Sequence, residues 1–268
     1  MAIHSTAVVD RTAAIDPTAE VGAYAIVEGD VRIGPGVRVY PHAYIGRGTT
    51  LGAGCEVHPF AVVGHPPQDV KFKGEPTFTV VGAGTIIREH ATVHRGTMPG
   101  STTVVGARCF IMSTGHVGHN CTLGDEVVVA NGALLAGHVT VGRRAFISGN
   151  AVVHQFTRLG ELAMIAGGVR VPQDVPPFML WGPRGLHGPN VVGLRRAGLS
   201  HDERLELRQC HRLLCRSGLL LPEAIERVAT LVRTEPGRKL LTFLQEPSKR
   251  GLAVRLRSAQ TVVTADDE

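Results

Sequence analysis

Residues 105–141 read VGARCFIMSTGHVGHNCTLGDEVVVANGALLAGHVTV, and every sixth residue from Val105 onward is Ile, Leu or Val. The same frame runs from Ile3 to Val171, and it is broken only at Asp69, Glu75 and Pro99. An amphipathic helix or an alternating strand has no period of six, whereas a parallel β-helix has one short strand and one corner per hexapeptide. The sequence therefore predicts an all-β domain, a parallel β-helix filled by the frame residues.

Two segments interrupt the repeat, at residues 64–80 and 95–104. Both contain Pro and Gly and lack inward aliphatic residues, so we predict loops that leave the prism and carry ligand contacts. Beyond the repeat the sequence favours helices, the first of which begins at Ser200 with an S-x-x-E capping box. We predict two domains, a hexapeptide-repeat β-helix over residues 1–189 and a helical C-terminal domain over residues 190–268.

Composition narrows the class of protein. The five cysteines form no C-x-x-C pair, which favours free thiols in a reducing compartment, and we expect a cytoplasmic location. No apolar run approaches membrane-spanning length, so we expect no stable membrane insertion. The repeat is already running at Ile3, which leaves no space for a secretory leader.

The charge distribution indicates which kinds of partner the protein binds. The formal net charge is +5, and 14 Lys/Arg against 10 Asp/Glu from Asn190 onward account for +4 of it. Aromatic residues do not alternate with these charges, so we expect no nucleic-acid partner. A solvated helical face and a surface for an anionic partner both remain open. The flat faces of identical coils also predict symmetric association with further copies of the chain.

A column of histidines is the strongest sign of chemistry. Three hexapeptides make a coil of 18 residues, so His119 stacks beneath Gly137 and Gln155 in the next two coils, about 5 Å apart. His138 and His154 are neighbours of these positions, and His116 precedes His119 by three residues. Such a patch suits general-base catalysis by an imidazole. It also suits a zinc site in which three imidazoles converge.

Several motifs together resemble one family, the UDP-N-acetylglucosamine 3-O-acyltransferases of lipid A biosynthesis. The segments that carry the resemblance are QDVKFKGEPT (68–77), IREHATVHRGT (87–97), HVGHNCTLG (116–124), LLAGHV (134–139), AVVHQF (151–156), QDVPPF (173–178) and GLRR (193–196). The resemblance implies a left-handed β-helix, a homotrimer with active sites between subunits, and no metal or diffusible cofactor. It implies transfer of a 3-hydroxyacyl chain from acyl carrier protein to the glucosamine 3-position of the UDP-sugar.

The resemblance also implies roles for individual residues. His119 matches the general base, and the Gly137 backbone N–H matches the donor to the oxyanion. Gly167 matches the position that limits acyl length. The positions that match substrate contacts in the loop, the histidine column and the nucleotide site are Gln68, Asp69, Lys71, His116, His138, His154, Gln155, Asn190 and Arg196.

Three positions depart from the family pattern. Asn120 stands where the family has Asp, so carboxylate support for the His119 imidazole is missing, and we expect its orientation to shift to backbone or water. Ala197 replaces a second arginine, and Val192 replaces an acidic nucleotide contact. Both put details of nucleotide binding in question.

The sequence also allows other interpretations. A sibling N-acyltransferase of the same pathway carries a domain ahead of its β-helix, and here the repeat begins at Ile3. A zinc-dependent γ-type carbonic anhydrase shares the fold and holds its metal with histidines. A non-catalytic β-helix scaffold would need no ordered histidine column. No residue decides between a 3-hydroxyl and a 3-amino sugar acceptor.

Overall fold

The computed structural model describes residues 2–254, and residues 255–268 of the predicted helical domain lie outside that range. Twenty-six short strands wind into a three-sided prism, and a hairpin follows. The strands before the first loop are β1 (Ala2–Ile3), β2 (Val8–Val9), β3 (Ala14–Ile15), β4 (Glu20–Val21), β5 (Ile26–Val27), β6 (Arg32–Ile33), β7 (Arg38–Val39), β8 (Tyr44–Ile45), β9 (Thr49–Leu51), β10 (Glu56–Val57) and β11 (Val62–His65).

Three strands lie between the two loops, namely β12 (Phe78–Val81), β13 (Ile86–Ile87) and β14 (Thr92–His94). The strands that complete the prism are β15 (Thr102–Val105), β16 (Phe110–Ile111), β17 (His116–Val117), β18 (Thr122–Leu123), β19 (Val128–Val129), β20 (Leu134–Leu135), β21 (Thr140–Val141), β22 (Phe146–Ile147), β23 (Val152–Val153), β24 (Arg158–Leu159), β25 (Met164–Ile165) and β26 (Arg170–Val171). The closing hairpin, which the sequence did not predict, consists of β27 (Met179–Gly182) and β28 (Gly185–Pro189).

Successive strands occupy successive faces of the prism. The first face contains β1, β4 and every third strand up to β25, and then the hairpin; the second runs from β2 to β26, and the third from β3 to β24. All pairings within the prism are parallel, and the frame residues stack on one another, as Ile111, Val129 and Ile147 do. These side chains are buried, so the prediction of a parallel β-helix with an aliphatic core is confirmed.

The corners between the faces are stacked as regularly as the strands. We name each corner after one residue. The His119 corner also holds Gly137 and Gln155, the Arg143 corner holds Asp125 and Glu161, and the Gly149 corner holds Asn131 and Gly167. The glycine after a frame residue is needed because the next coil lies close. A Cβ on Gly82, for example, would lie 2.5 Å from the Ala107 nitrogen.

Both loops are shorter than predicted, 66–77 in place of 64–80 and 95–101 in place of 95–104. The difference has a physical cause, because the chain keeps its ladder bonds as far into each loop as it can. His65 pairs with His94 at the end of β11, and Phe78 pairs with Thr102 at the start of β12.

The described C-terminal part is helical, with α1 (Val191–Arg196), α2 (His201–Arg216), α3 (Leu221–Leu231) and α4 (Glu235–Gln245). The capping box at the start of α2 is confirmed, because the Ser200 side chain accepts from the Glu203 N–H and Glu203 accepts from the Ser200 N–H. The short α1 was not predicted. Among residues 2–254, every helix is too short or too polar to cross a membrane.

Candidate active site

The side chain of His119 is oriented by its neighbour. Its Nδ1 lies 3.0 Å from Oδ1 of Asn120. The same Oδ1 accepts hydrogen bonds from the backbone N–H and the hydroxyl of Thr97, at 3.1 and 2.9 Å. A backbone N–H can only donate, so the Asn120 atom that faces it is the amide oxygen, and Nδ1 of His119 carries the proton. Nε2 therefore keeps a free lone pair and can accept a proton.

The expectation that backbone or water orients His119 was wrong. The Asn120 oxygen takes the place of the missing carboxylate oxygen, because Thr97 in the second loop fixes which end of the amide faces the imidazole. The amide is neutral, so it orients the ring but stabilises a charged imidazolium less than a carboxylate does.

Gly137, one coil above His119, lies directly against the His119 ring. A Cβ on Gly137 would lie 2.5 Å from Nε2 of His119 and would also overlap Cε1. Within residues 2–254 the Gly137 N–H donates to no acceptor. Gly137 is the second residue after a frame residue, and the strand ladder needs no donor at that position. The same position is occupied in earlier coils by Pro17, Pro35, Pro41 and Pro59. A base and a free N–H donor thus lie side by side.

The column above His119 is partly different from the predicted one. The His138 ring meets the His119 ring edge-on, with centroids 5.2 Å apart. The ring stacked on His138 is that of Phe156, at 4.7 Å. His154 instead places its Nδ1 3.1 Å from the Gln155 carbonyl oxygen, and Gln155 is exposed in the same coil. Sequence spacing did not single out Phe156.

On the face before the corner, His116 is held by residues from an earlier coil. Its Nδ1 lies 2.7 Å from the Thr92 hydroxyl, and the buried His94 ring meets it edge-on at 4.9 Å. Burial lowers the pKa of His116 and lowers that of His94 to about 4. Both rings are therefore neutral at pH 7. Sequence reasoning missed Thr92 and His94, because the second loop shifts their spacing from His116 away from 18 residues.

The first loop returns to the His119 corner. Burial lowers the pKa of His138, the charges of His119 and Lys249 lower it further, and the carboxylate of Asp69 opposes them. Asp69 Oδ1 accepts from the Lys71 N–H at 2.9 Å. The side chains of Gln68 and Lys71 are exposed beside it. The structure therefore places Asp69 within electrostatic reach of His138, next to the predicted base.

Two predicted nucleotide contacts lie elsewhere in the chain. Asn190 caps α1 by accepting from the Gly193 N–H at 3.1 Å, and its amide nitrogen donates to the Leu162 carbonyl at 3.0 Å. That contact places Asn190 at the Arg143 corner. Arg196 is the exposed last residue of α1, and it has no carboxylate partner among the described residues.

Gly167 belongs to the third corner of the prism. It stacks on Gly149, whose carbonyl oxygen would lie 3.3 Å from a Cβ added to Gly167. The position is exposed, so a side chain has space there. Within a single chain, the structure does not bring Gly167 to His119.

The zinc interpretation requires side chains that converge on one point. Among residues 2–254, no group of three or more His, Cys, Asp and Glu side chains is arranged to hold a metal ion. In the column, Nδ1 of His119 faces Asn120 and Nδ1 of His116 faces Thr92. The geometry of these donors does not favour the carbonic anhydrase alternative.

Comparison with known proteins identifies the family of the chain. A family profile described as UDP N-acetylglucosamine O-acyltransferase, domain 2, matches residues 174–253, and a bacterial transferase hexapeptide profile matches residues 30–65. The acyl-[acyl-carrier-protein]–UDP-N-acetylglucosamine O-acyltransferase of Syntrophobacter fumaroxidans is 42% identical over 94% of this chain and 99% of its own.

Solved structures show the same relationship. The UDP-N-acetylglucosamine O-acyltransferase of Moraxella catarrhalis superposes with a TM-score of 0.90 at 37% identity, over 94% of this chain and 100% of that one. The UDP-N-acetylglucosamine acyltransferase of Francisella novicida gives 0.90 at 33% identity, over 94% of each chain. These neighbours are left-handed β-helices, and this chain shares that fold. The chain belongs to the UDP-N-acetylglucosamine O-acyltransferase family.

Proposed function

We propose that this protein transfers a 3-hydroxyacyl chain from acyl carrier protein to the glucosamine 3-hydroxyl of UDP-N-acetylglucosamine, the first step of lipid A biosynthesis. The observation that carries the proposal is the proximity of two groups: Nε2 of His119, which is free to accept a proton, and the N–H of Gly137, which donates to no acceptor within residues 2–254. A base beside an N–H donor is the arrangement that acyl transfer requires. The substrates are supported by the relatives, which are acyl-[acyl-carrier-protein]–UDP-N-acetylglucosamine O-acyltransferases.

In the proposed reaction, Nε2 of His119 takes the proton of the sugar 3-hydroxyl as its oxygen attacks the thioester carbonyl. The negative charge that develops on the carbonyl oxygen is stabilised by the Gly137 N–H. When the carbon–sulfur bond breaks, the leaving thiolate takes the proton back from the imidazolium, and the ester and a free thiol result. The reaction balances with no metal or diffusible cofactor. Asn120 keeps the ring in its Nδ1–H form throughout.

The remaining predicted residues are assigned to substrate contacts in the same proposal. Asp69 lies within electrostatic reach of His138, and a sugar hydroxyl held by its carboxylate would be positioned near the base. The neutral imidazoles of His116 and His138 can donate to or accept from sugar hydroxyls. Gln68, Lys71, His154 and Gln155 provide the other polar groups along the corner.

A homotrimer is part of the proposal, because it would unite residues that one chain keeps apart. Apolar side chains point outward on two faces that share the Gly149 corner. On the second face they are Val8, Ile26, Leu134 and Val152, which are 40% to 63% exposed, and on the first face they are Ile86, Phe110, Val128, Phe146 and Met164. Packing the first face of each chain against the second face of the next closes a threefold ring.

This ring would have a definite effect on the site. The Gly149 corners meet near the axis, and the His119 corner of each chain faces the Arg143 corner of its neighbour. Asn190 and Arg196 of one chain then stand opposite His119 of the next. Gly167 lies at the inner end of the same cleft, where an acyl chain would end. A cytoplasmic location completes the proposal and is supported by the five free cysteines.

The test is an acyl-transfer assay with purified protein, in which UDP-N-acetylglucosamine and its 3-amino analogue are offered with 3-hydroxyacyl carrier proteins of several chain lengths. His119→Ala should lose about 100-fold or more in kcat, as expected for a general base. Its UDP-sugar affinity, its thermal stability and its trimeric mass in sedimentation should be unchanged. More than about a tenth of wild-type turnover in this variant would exclude His119 as the base.

A further inference from the structure

The segment after α4 is fixed across the C-terminal end of the prism at several points. The guanidinium of Arg158 binds two carboxylates, the buried one of Asp174 at 2.7 Å and the exposed one of Glu246 at 2.8 Å. The backbone of residues 251–253 pairs with Asp174 on both sides, through bonds of 2.9 Å. The Arg250 Nε donates to the Pro172 carbonyl at 3.2 Å. Residues 246–253 are therefore held in a defined position.

Lys249 lies within this anchored segment and reaches the His119 corner. Its ammonium lies 4.6 Å from the centre of the Phe156 ring, which stacks on His138, which in turn meets His119. The Phe156 ring is thus two coils, about 10 Å, beyond the base along the column, and the cation lies over that ring. Within residues 2–254 it has no carboxylate partner. Its charge nevertheless acts on the corner, since it lowers the pKa of His138.

We propose that Lys249 binds a phosphate group of a substrate at the C-terminal edge of the His119 corner. The Lys249 ammonium is exposed, has no carboxylate partner in the described part of the chain and is held over an aromatic ring by an anchored backbone, so it is preorganised for an anion. Phosphate oxygens form charge-assisted hydrogen bonds with lysine. Both substrates of the proposed reaction carry phosphate, one as the diphosphate of the UDP-sugar and the other on the prosthetic arm of the carrier protein. The inference rests on the proposed site around His119.

The experiment compares Lys249→Ala and Lys249→Arg with Arg11→Ala in the full-length protein. Arg11 is an exposed cation in the first coil, at the far end of the prism from Lys249. Its replacement by alanine changes the net charge of the protein by the same amount as Lys249→Ala. Steady-state assays give kcat and the KM for each substrate. Titrations of UDP and of uridine measure binding with and without the diphosphate. A third series replaces the carrier protein by acyl-pantetheine with and without its phosphate.

We expect Lys249→Ala to raise one KM about tenfold, the effect of losing one charge-assisted bond. Lys249→Arg should restore most of the affinity, and Arg11→Ala should behave as wild type. Weaker binding of UDP but not of uridine identifies the diphosphate. A defect that disappears with unphosphorylated acyl-pantetheine identifies the prosthetic arm. Unchanged KM values, or a fall in kcat alone with a displaced pH profile, would overturn the inference. Failure of the His119 chemistry would instead abolish turnover while leaving UDP binding intact.

Discussion

Gly137→Ala tests the proposed site most directly, because one methyl group would enter the space between base and main chain. The added Cβ would lie 2.5 Å from Nε2 of His119. Carbon atoms in contact settle at about 3.5–4.0 Å, so the imidazole has to move by about 1 Å. A displacement of about 1 Å at a reacting group costs about 100-fold in rate, or about 2.7 kcal/mol of transition-state stabilisation.

The assay measures kcat and KM for acyl transfer together with the thermal midpoint. We expect kcat to fall about 100-fold, and the KM for the UDP-sugar to change little, since the displaced group acts on the transition state. The coil itself should stay intact, because the imidazole is only partly buried and can rotate outward.

Gly29→Ala provides a matched control, because Gly29 also lies two residues after a frame residue, in an earlier coil. Its Cβ would lie 2.9 Å from the Thr12 hydroxyl and 3.0 Å from the guanidinium of Arg47, two exposed groups that can move aside. This variant should keep wild-type kcat. If Gly137→Ala turned over within about threefold of wild type, the ring would not lie over Gly137 during catalysis, and the geometry argued above would be wrong.

Variants at four further positions test other parts of the reasoning. Asn120→Asp should keep or raise kcat, whereas Asn120→Gly, which suits the φ of 59° but removes the acceptor, should lose about tenfold or more; equal rates would refute the orienting role. Val129→Asp should prevent folding, because it buries an unpaired charge, and a stable soluble variant would contradict the frame. Gly167→Met should shift preference toward shorter acyl chains in competition assays, by about 0.8 kcal/mol per displaced methylene, with turnover retained; an unchanged ratio would place the end of the groove elsewhere. Burial lowers the pKa of His94 to about 4, so the unfolded chain takes up a proton below about pH 6.5 that the folded chain rejects. Unfolding free energy should therefore decline from pH 6.5 toward pH 4, and His94→Gln should flatten that decline in urea titrations.

The fold could be predicted because a period of six constrains every coil in the same way. Val129 and Ile147 lie inward for the same local reason, and the stacking of residue on residue needs only the spacing of 18. The rule fails where a loop is inserted. Thr92 pairs with His116 across 24 residues, because the second loop lengthens that coil. A spacing argument therefore could not find Thr92 or the buried His94 beside it.

Side-chain support for the site was harder to predict than its position. From the sequence, Asn120 is only a missing carboxylate, whereas the structure shows its oxygen held by Thr97 from another coil. The contact of Lys249 with Phe156 was harder still to predict. The two residues are 93 positions apart, and they meet only because the segment around Lys249 is bonded to Asp174 and Pro172. Such contacts depend on tertiary packing, which no local pattern contains.

The position of the proposed chemistry follows from a property that the coils away from the loops share. In those coils the residue two places after the frame residue, as Gly137 is, donates no ladder bond, and four early hexapeptides place proline there. The prism thus offers many corners at which an N–H could be free. What distinguishes this corner is a glycine that lies against an imidazole of the preceding coil, which lets Nε2 approach the main chain. Two side-chain choices, 18 residues apart, are enough to turn a structural corner into a base with an adjacent donor.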